Sequence, residues 1–224
     1  MISTVRTLLR KELLLEWRTR ESIPAMALFS VTVFVIFHFG LDADTVDGQL
    51  AAGVLWVTML LAAILGINRL FVTDAEQGGF DAFLLAPVDR TALFVAKVLT
   101  LLLYLLVVQL VAVPAFGFLL LGPGLGQALP ELLLVLVLAD IGICVIGTLV
   151  SAIAIRTRTR DLIVPLIALP LLIPVVLAAS ELTAPLFEQA GAEALPGRWL
   201  ALVSIYDLLF ALIAYAIFDF LLED

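Results

Sequence analysis

Four groups of side chains in this sequence could do chemistry. Asp140 lies near the middle of a long apolar run, and Cys144, Thr148 and Ser151 follow it at i+4, i+8 and i+11, on one side of a helix. Gly142 and Gly147 in the same run offer points of close approach for a neighbouring helix. Asp207, next to Tyr206, falls in the outer half of another such run, within reach of the membrane surface. His38 stands between Phe37 and Phe39 at the end of a third. An ionisable group at membrane depth marks either a substrate or subunit interface or an interior group bonded to a neighbouring span. For Asp140 the interior reading is favoured. A histidine between aromatic rings at a membrane boundary needs no role beyond its belt position.

The fourth group is the polar stretch Asp74-Ala75-Glu76-Gln77-Gly78-Gly79-Phe80-Asp81-Ala82-Phe83-Leu84-Leu85-Ala86-Pro87-Val88-Asp89-Arg90. Phe80, Phe83 and Leu84 recur at i, i+3 and i+4, one face of a short helix. Gly78 and Gly79 allow a sharp turn into it, and Pro87 ends it. Two phenylalanines on so short a helix either dip into the lipid interface or fill a groove on a partner. The pattern alone leaves both readings open.

Other chemistries are missing. No G-x-x-x-x-G-K-[ST] run is present to cradle phosphates, so the chain is not itself an ATPase. Neither H-E-x-x-H nor G-x-S-x-G occurs, and nothing points to nucleic acid. With one histidine, a multi-histidine metal or haem site within the chain is excluded; no catalytic, metal or cofactor-binding residue is assigned. The single cysteine, Cys144, cannot form an internal disulfide and reads as a small packing residue.

The elements that must position these residues are membrane helices. Of 224 residues, 63% are hydrophobic and the mean hydropathy is +1.20, whereas soluble domains run about 45–50% apolar. About 20 helical residues cross a bilayer core, and six spans are expected at about 22–40, 50–72, 92–121, 129–155, 161–180 and 199–221. The fifth carries Pro165, Pro170 and Pro174 and is expected to be kinked or broken. No cleavable signal peptide is visible, and the first span reads as its own anchor.

Six spans put Arg6, Arg10, Lys11, Arg18, Arg20, Arg69, Arg90, Lys97, Arg156, Arg158 and Arg160 on one side, leaving only Arg198 of the 12 basic residues on the other. The positive-inside rule then places both termini in the cytoplasm. Acidic residues crowd the opposite loops: Asp42, Asp44, Asp47, Glu181, Glu188 and Glu193. The formal net charge of -8 therefore describes loops of opposite sign rather than one acidic surface.

Residues 3–20 precede the spans. Val5, Leu8, Leu9, Leu13 and Trp17 recur at helical spacing among Arg6, Arg10, Lys11 and Arg18, as in an amphipathic elbow helix lying in the cytoplasmic interface. Residues 181–198 are too polar to span and are expected to form one or two short helices at the opposite surface or re-entering the outer leaflet.

The run Glu76-x-Gly78-Gly79-Phe80-x-x-Phe83-Leu84-Leu85-Ala86-Pro87-Val88-Asp89-Arg90, continuing to Lys97, resembles the signature of ABC-2-type permeases, and the whole chain resembles the haem exporter B family of the cytochrome c maturation system. Arg10-Lys11-Glu12-Leu13, Glu16, Arg18, Phe37-His38-Phe39, Ala52-Gly53-Val54-Leu55-Trp56, Arg158 and Arg160 carry the likeness along the chain, which is least after Ser180. The resemblance implies one ABC-2-type transmembrane domain over residues 1–224 of a bacterial inner-membrane protein. Glu76, Gly78, Gly79, Phe80, Phe83, Leu84, Pro87 and Arg90 would couple it to a separate ABC ATP-binding subunit, with a coupling helix at about 79–87. It further implies a second copy of the chain, a haem-handling C subunit, a small single-span D subunit and, indirectly, a haem chaperone. ATP would act through the partner subunit, with haem in the complex. In that setting His38 is the residue to consider as an axial ligand, although the belt reading is preferred.

The fold class expected is thus an all-α integral membrane protein: six spans, an interfacial elbow helix and a short coupling helix. The rivals are a membrane enzyme, for which Asp140 and Asp207 are too little; a secondary transporter, which predicts internal repeats that are not seen; and a structural scaffold subunit without ATPase coupling.

Overall fold

The computed structural model describes residues 1–41, 45–72, 90–122, 125–154, 157, 159–188 and 195–221. Its elements are helices: α1 (Ile2–Thr19), α2 (Ser22–Gly40), α3 (Gly48–Arg69), α4 (Arg90–Phe116), α5 (Leu125–Ala154), α6 (Arg160–Thr183) and α7 (Gly197–Leu221). A π-helical turn, Gly117–Leu121, extends α4, and a 3-10 turn, Ala184–Phe187, extends α6. Among the described residues six stretches are long and apolar enough to cross a membrane: Ser22–Gly40, Gly48–Arg69, Arg90–Leu121, Leu125–Ala154, Asp161–Phe187 and Gly197–Phe218. Five of them coincide with the expected spans within a few residues, the fifth runs past its expected end at 180 to Phe187, and the protein is an all-α multi-pass membrane protein.

The spans differ in how far they are covered. In α3 and α5, 72% of the apolar window is buried inside the protein, against 17% in α2 and 22% in α7. The first pair forms the centre, and the second presents side chains such as Leu28, Ile36, Leu208 and Leu212 outward. α6 packs on both α3 and α5, α4 lies against α2 and α5, and α7 lies against α5 and α6. Glycine sets the closest approach at the centre. A Cβ on Gly147 of α5 would lie 2.6 Å from the Ile67 side chain of α3, a separation that no real contact sustains. Trp56 of α3 is fully buried, and its indole N–H donates to the Thr183 hydroxyl at 2.9 Å, joining α3 to the end of α6.

Two expectations are corrected. Of the two alternatives for the proline-rich fifth span, kinked or broken, the break is overturned: the span is one continuous helix from Arg160 to Thr183. Each proline deletes a single donor from a long ladder, and packing of α6 against α3 and α5 holds the rest in register. The segment after Ser180 is also less superficial than its composition suggests: Leu186 and Phe187 are buried, and the Phe187 ring stands 5.5 Å from Phe116. Its apolar first half completes the fifth span.

α1 is amphipathic as expected, but its faces differ from the expected ones. Val5 and Leu8 turn toward the bundle with Glu12 and Glu16, the two buried side chains of the helix, whereas Trp17, Leu14 and Leu13 are exposed. At about 100° per residue the five apolar positions spread over about 180° of the helix, with Glu12 and Glu16 beside Val5 inside that arc, so one edge of the apolar face meets the bundle and the other is left open.

Candidate functional site

The residues expected to couple the chain to an ATPase, Glu76, Gly78, Gly79, Phe80, Phe83, Leu84 and Pro87, lie outside the described residues. Arg90 is described and opens α4. What the structure does define is the frame from which residues 73–89 emerge, and that frame is built on charge.

Lys97, on the second turn of α4, is 1% exposed. Its ammonium donates to the Leu70 carbonyl at 2.8 Å, lies 2.9 Å from Glu12 Oε1 and stands 4.9 Å from the centre of the Phe71 ring. Leu70 and Phe71 follow the end of α3 just before residue 73, so one side chain fastens the two ends of the 73–89 segment to each other and to α1. A buried lysine is tolerated only where a carboxylate and further hydrogen bonds replace its water. Glu12 also accepts from Lys11 at 3.2 Å.

Glu16, one turn beyond Glu12, works at the next junction. Arg20 adopts a left-handed conformation (φ 52°), which ends α1 two residues before α2 begins. The Glu16 carboxylate accepts the backbone N–H groups of Ser22 at 3.0 Å and of Ile23 at 2.9 Å. These are orphan donors at the start of α2, and a negative charge there also suits the helix dipole. Glu21 adds an exposed ion pair to Arg69 at 3.3 Å. A cavity of about 390 Å³ opens among α1, α3 and α4, lined in part by Glu12, Glu16, Asn68 and Tyr104.

At membrane depth, Asp140 is bonded as the interior reading expects. The Gln109 side-chain amide of α4 donates to both carboxylate oxygens, at 3.0 and 2.9 Å. Cys144 is fully buried and free, and the Ser151 hydroxyl donates to the Ile67 carbonyl at 3.0 Å. The Thr148 hydroxyl is buried and has no hydrogen-bond partner among the described residues.

Asp207 does not reach the surface. It is 6% exposed, neither carboxylate oxygen has a hydrogen-bond partner among the described residues, and it presses on Gly142 of α5 beside Val175. Helix α7 turns this position toward α5, and a glycine there leaves the room. The neighbouring Tyr206 hydroxyl donates to the Leu171 carbonyl at 2.8 Å. Asp140 and Asp207 therefore serve different contacts, one to α4 and the other to α5.

His38 also has a structural partner. Its Nδ1 bonds to the Leu119 carbonyl, and its ring meets Phe39 edge-on at 5.0 Å. Leu119 belongs to the π-helical turn, where the Val46 N–H likewise bonds to the Leu120 carbonyl at 2.7 Å. Carbonyls at this helix end lack partners within the helix, and His38 supplies one from α2.

A family profile described as CcmB protein matches residues 3–220. The chain belongs to this family. Among similar proteins, the heme exporter protein B of Rhodobacter capsulatus is 30% identical over 192 residues, covering 85% of both chains. That of Pseudomonas aeruginosa is 29% identical over 220 residues, covering 97% of this chain and 96% of its own. That of Paracoccus denitrificans is 30% identical over 158 residues, or 70% and 71%.

In this CcmB-family chain, Glu12, Glu16, Gln109 and the pairing of Lys97 escape a sequence reading. Lys97 and Glu12 are visible as charges, but their pairing across 85 residues leaves no periodic trace. Gln109 does leave a signal, as the one amide inside the apolar run of the third span.

Proposed function

We propose that the chain is the membrane permease subunit of a bacterial ABC transporter that serves cytochrome c biogenesis, a transport subunit and not an enzyme. The observation that carries this reading is the match of the family profile along residues 3–220, joined by full-length similarity to proteins named heme exporter protein B. On this reading residues 1–224 are one ABC-2-type transmembrane domain in the inner membrane. Both termini are cytoplasmic, as the concentration of basic residues on that side supports.

The coupling helix at about 79–87 would sit in a groove of a separate ATP-binding subunit, with Phe80, Phe83 and Leu84 as anchors and Glu76, Gly78, Gly79, Pro87 and Arg90 shaping its entry and exit. Closure of an ATPase dimer would then move two copies of the chain. The frame around the loop suits this role. A push on residues 73–89 passes through Leu70 and Phe71 into α3, through Lys97 and Glu12 into α1, and through Glu16 into the start of α2. The further partners are a haem-handling C subunit and a small single-span D subunit. The outcome would be haem export or release of a haem-loaded periplasmic chaperone.

The test is purification of the tagged chain from its own membrane in a mild detergent, with mass spectrometry of what accompanies it. Recovery of a Walker-motif ATPase with haem-handling subunits is expected. Recovery of the chain alone, in a detergent that preserves other ABC complexes, would sink the reading and favour a secondary transporter.

A further inference from the structure

The cavity of about 390 Å³ among α1, α3 and α4 carries the carboxylates of Glu12, Glu16, Glu21 and Asp161 on its walls. The Glu21–Arg69 pair, with both side chains exposed, stands at its rim, so water and ions reach it. Lys97 faces Glu12 and Arg69 faces Glu21, but no cation faces Glu16 among the described residues. Glu16 is 8% exposed, and its hydrogen bonds come from neutral backbone N–H groups: Ser22 and Ile23 to Oε1, with a longer one of 3.3 Å from Ser22 to Oε2. Two further oxygens meet the same cavity without a partner. Tyr104 is 6% exposed, and its hydroxyl has no hydrogen-bond partner among the described residues. Asn68 Oδ1 is buried and has none either. We infer that this cavity binds one hydrated divalent cation of the magnesium type, with the Glu16 carboxylate, Asn68 Oδ1 and the Tyr104 hydroxyl as its protein contacts.

The donor set selects the ion. The unfilled groups are oxygens, which suit hard cations, and among the described residues neither His nor Cys lines the cavity to hold a softer metal. Among the described residues no three acids come together closely enough to grip a bare ion. That disfavours calcium, which takes six to eight direct oxygen ligands. Magnesium gives up its water reluctantly and is held through one or two carboxylates while keeping several waters. Those waters donate hydrogen bonds, and the three oxygens here can accept them. Six waters fill about 180 Å³ at about 30 Å³ each, so the cavity has room for the ion with its shell. A buried carboxylate with no cation opposite it is costly, and the ion offsets that cost. Glu16 holds the junction of α1 and α2, Asn68 lies in the last turn of α3, and Tyr104 belongs to α4. One ion touching all three ties together the helices on both sides of residues 73–89. The inference concerns the chain by itself and stands apart from the transport reading.

The experiment is a thermal-melt titration of the full-length chain in detergent, stripped with a chelator and then given magnesium chloride. The thermal midpoint should rise by several degrees and saturate, because an ion that binds only the folded chain stabilises it by mass action. Potassium chloride at equal ionic strength should not reproduce the rise. Tyr104→Phe removes a hydroxyl that bonds to nothing among the described residues, so its metal-free midpoint should match or exceed wild type while its apparent magnesium affinity falls severalfold. Glu16→Gln keeps an acceptor for Ser22 and Ile23 but removes the charge, and should weaken magnesium binding by about tenfold. Electron paramagnetic resonance with manganese as the probe should count one ion per chain, displaced by magnesium and weakened in the same variants. No saturable rise, as for a cavity that holds water only, an equal rise with potassium, or an unchanged affinity in Tyr104→Phe would overturn the inference, whether or not Glu16→Gln inserts.

Discussion

Lys97 of α4 and Glu12 of α1 meet with their charged atoms 2.9 Å apart in a setting where the lysine is almost wholly shielded from solvent. The pair joins an N-terminal helix that does not span to the helix that follows the 73–89 segment. Removing one partner from such a pair strands a charge and costs about 3–5 kcal/mol, whereas replacing both with apolar groups of similar size is often neutral. Glu12→Leu or Lys97→Met alone should therefore lower the thermal midpoint in detergent by several degrees, and the double variant should regain most of it. Equal losses that simply add would show that the two side chains do not act as a unit.

The double variant also separates packing from transmission. If the pair carries motion from the loop to α1, Glu12→Leu with Lys97→Met should restore stability without restoring transport. Both properties recovering together would make the pair a fastening alone. The measurement is cytochrome c maturation in a deletion strain beside the thermal midpoint of the purified variant.

Gln109 and Asp140 allow the same logic at membrane depth. Gln109→Leu leaves the Asp140 carboxylate without the two bonds it receives from that amide, at a cost of about 1–3 kcal/mol. Replacing both with leucine should bring stability back close to wild type. A stable but inactive double variant would mark Asp140 as part of a substrate or subunit interface; a stable and active one would make it a joint between α4 and α5.

These joints also show where sequence reading stops. The six spans were legible because lipid demands long apolar runs, and the close approach at Gly142 and Gly147 because small residues have few other uses inside such runs. The bonding of Asp140 to a neighbouring span was legible as a need, but its partner was not. The burial of Asp207 was not legible at all, because a position in the outer half of a helix says nothing of which way the helix is turned. The same limit hid the roles of Glu12 and Glu16. A carboxylate on an amphipathic helix reads as solvated, and only the packing of α1 against α4 and the bonds of Glu16 to the first N–H groups of α2 turn both acids inward. Continuity of the proline-rich helix depended on its neighbours as well.

Gly142 provides the room in which Asp207 sits, since a Cβ there would collide with the carboxyl group. Gly142→Ala should displace α7 from α5 and destabilise the protein by about 1–3 kcal/mol, the usual cost of overpacking. Asp207→Ala in the same chain should relieve most of that loss, because it removes the atoms that the new methyl meets. A Gly142→Ala variant as stable as wild type would show that the α5–α7 contact adjusts freely at this point. The reading is the thermal midpoint of each single variant and of the pair.

The last prediction concerns Phe83, which the i, i+3, i+4 spacing places on one face with Phe80 and Leu84. If that face fills a groove on an ATPase, a charge in its middle must either be buried or keep the face out of the groove, and burying an unpaired carboxylate is prohibitive. Phe83→Asp should then leave insertion, expression and the thermal midpoint of the isolated chain unchanged while abolishing co-purification of the ATPase and cytochrome c maturation. Phe83→Leu should preserve both, since it keeps an apolar plug of similar reach. A lipid-dipping loop without a partner would respond differently: Phe83→Asp would weaken membrane association of the loop but leave the complex assembled. An assembled, active complex carrying Phe83→Asp would therefore remove the coupling assignment from this segment, whatever the family of the chain.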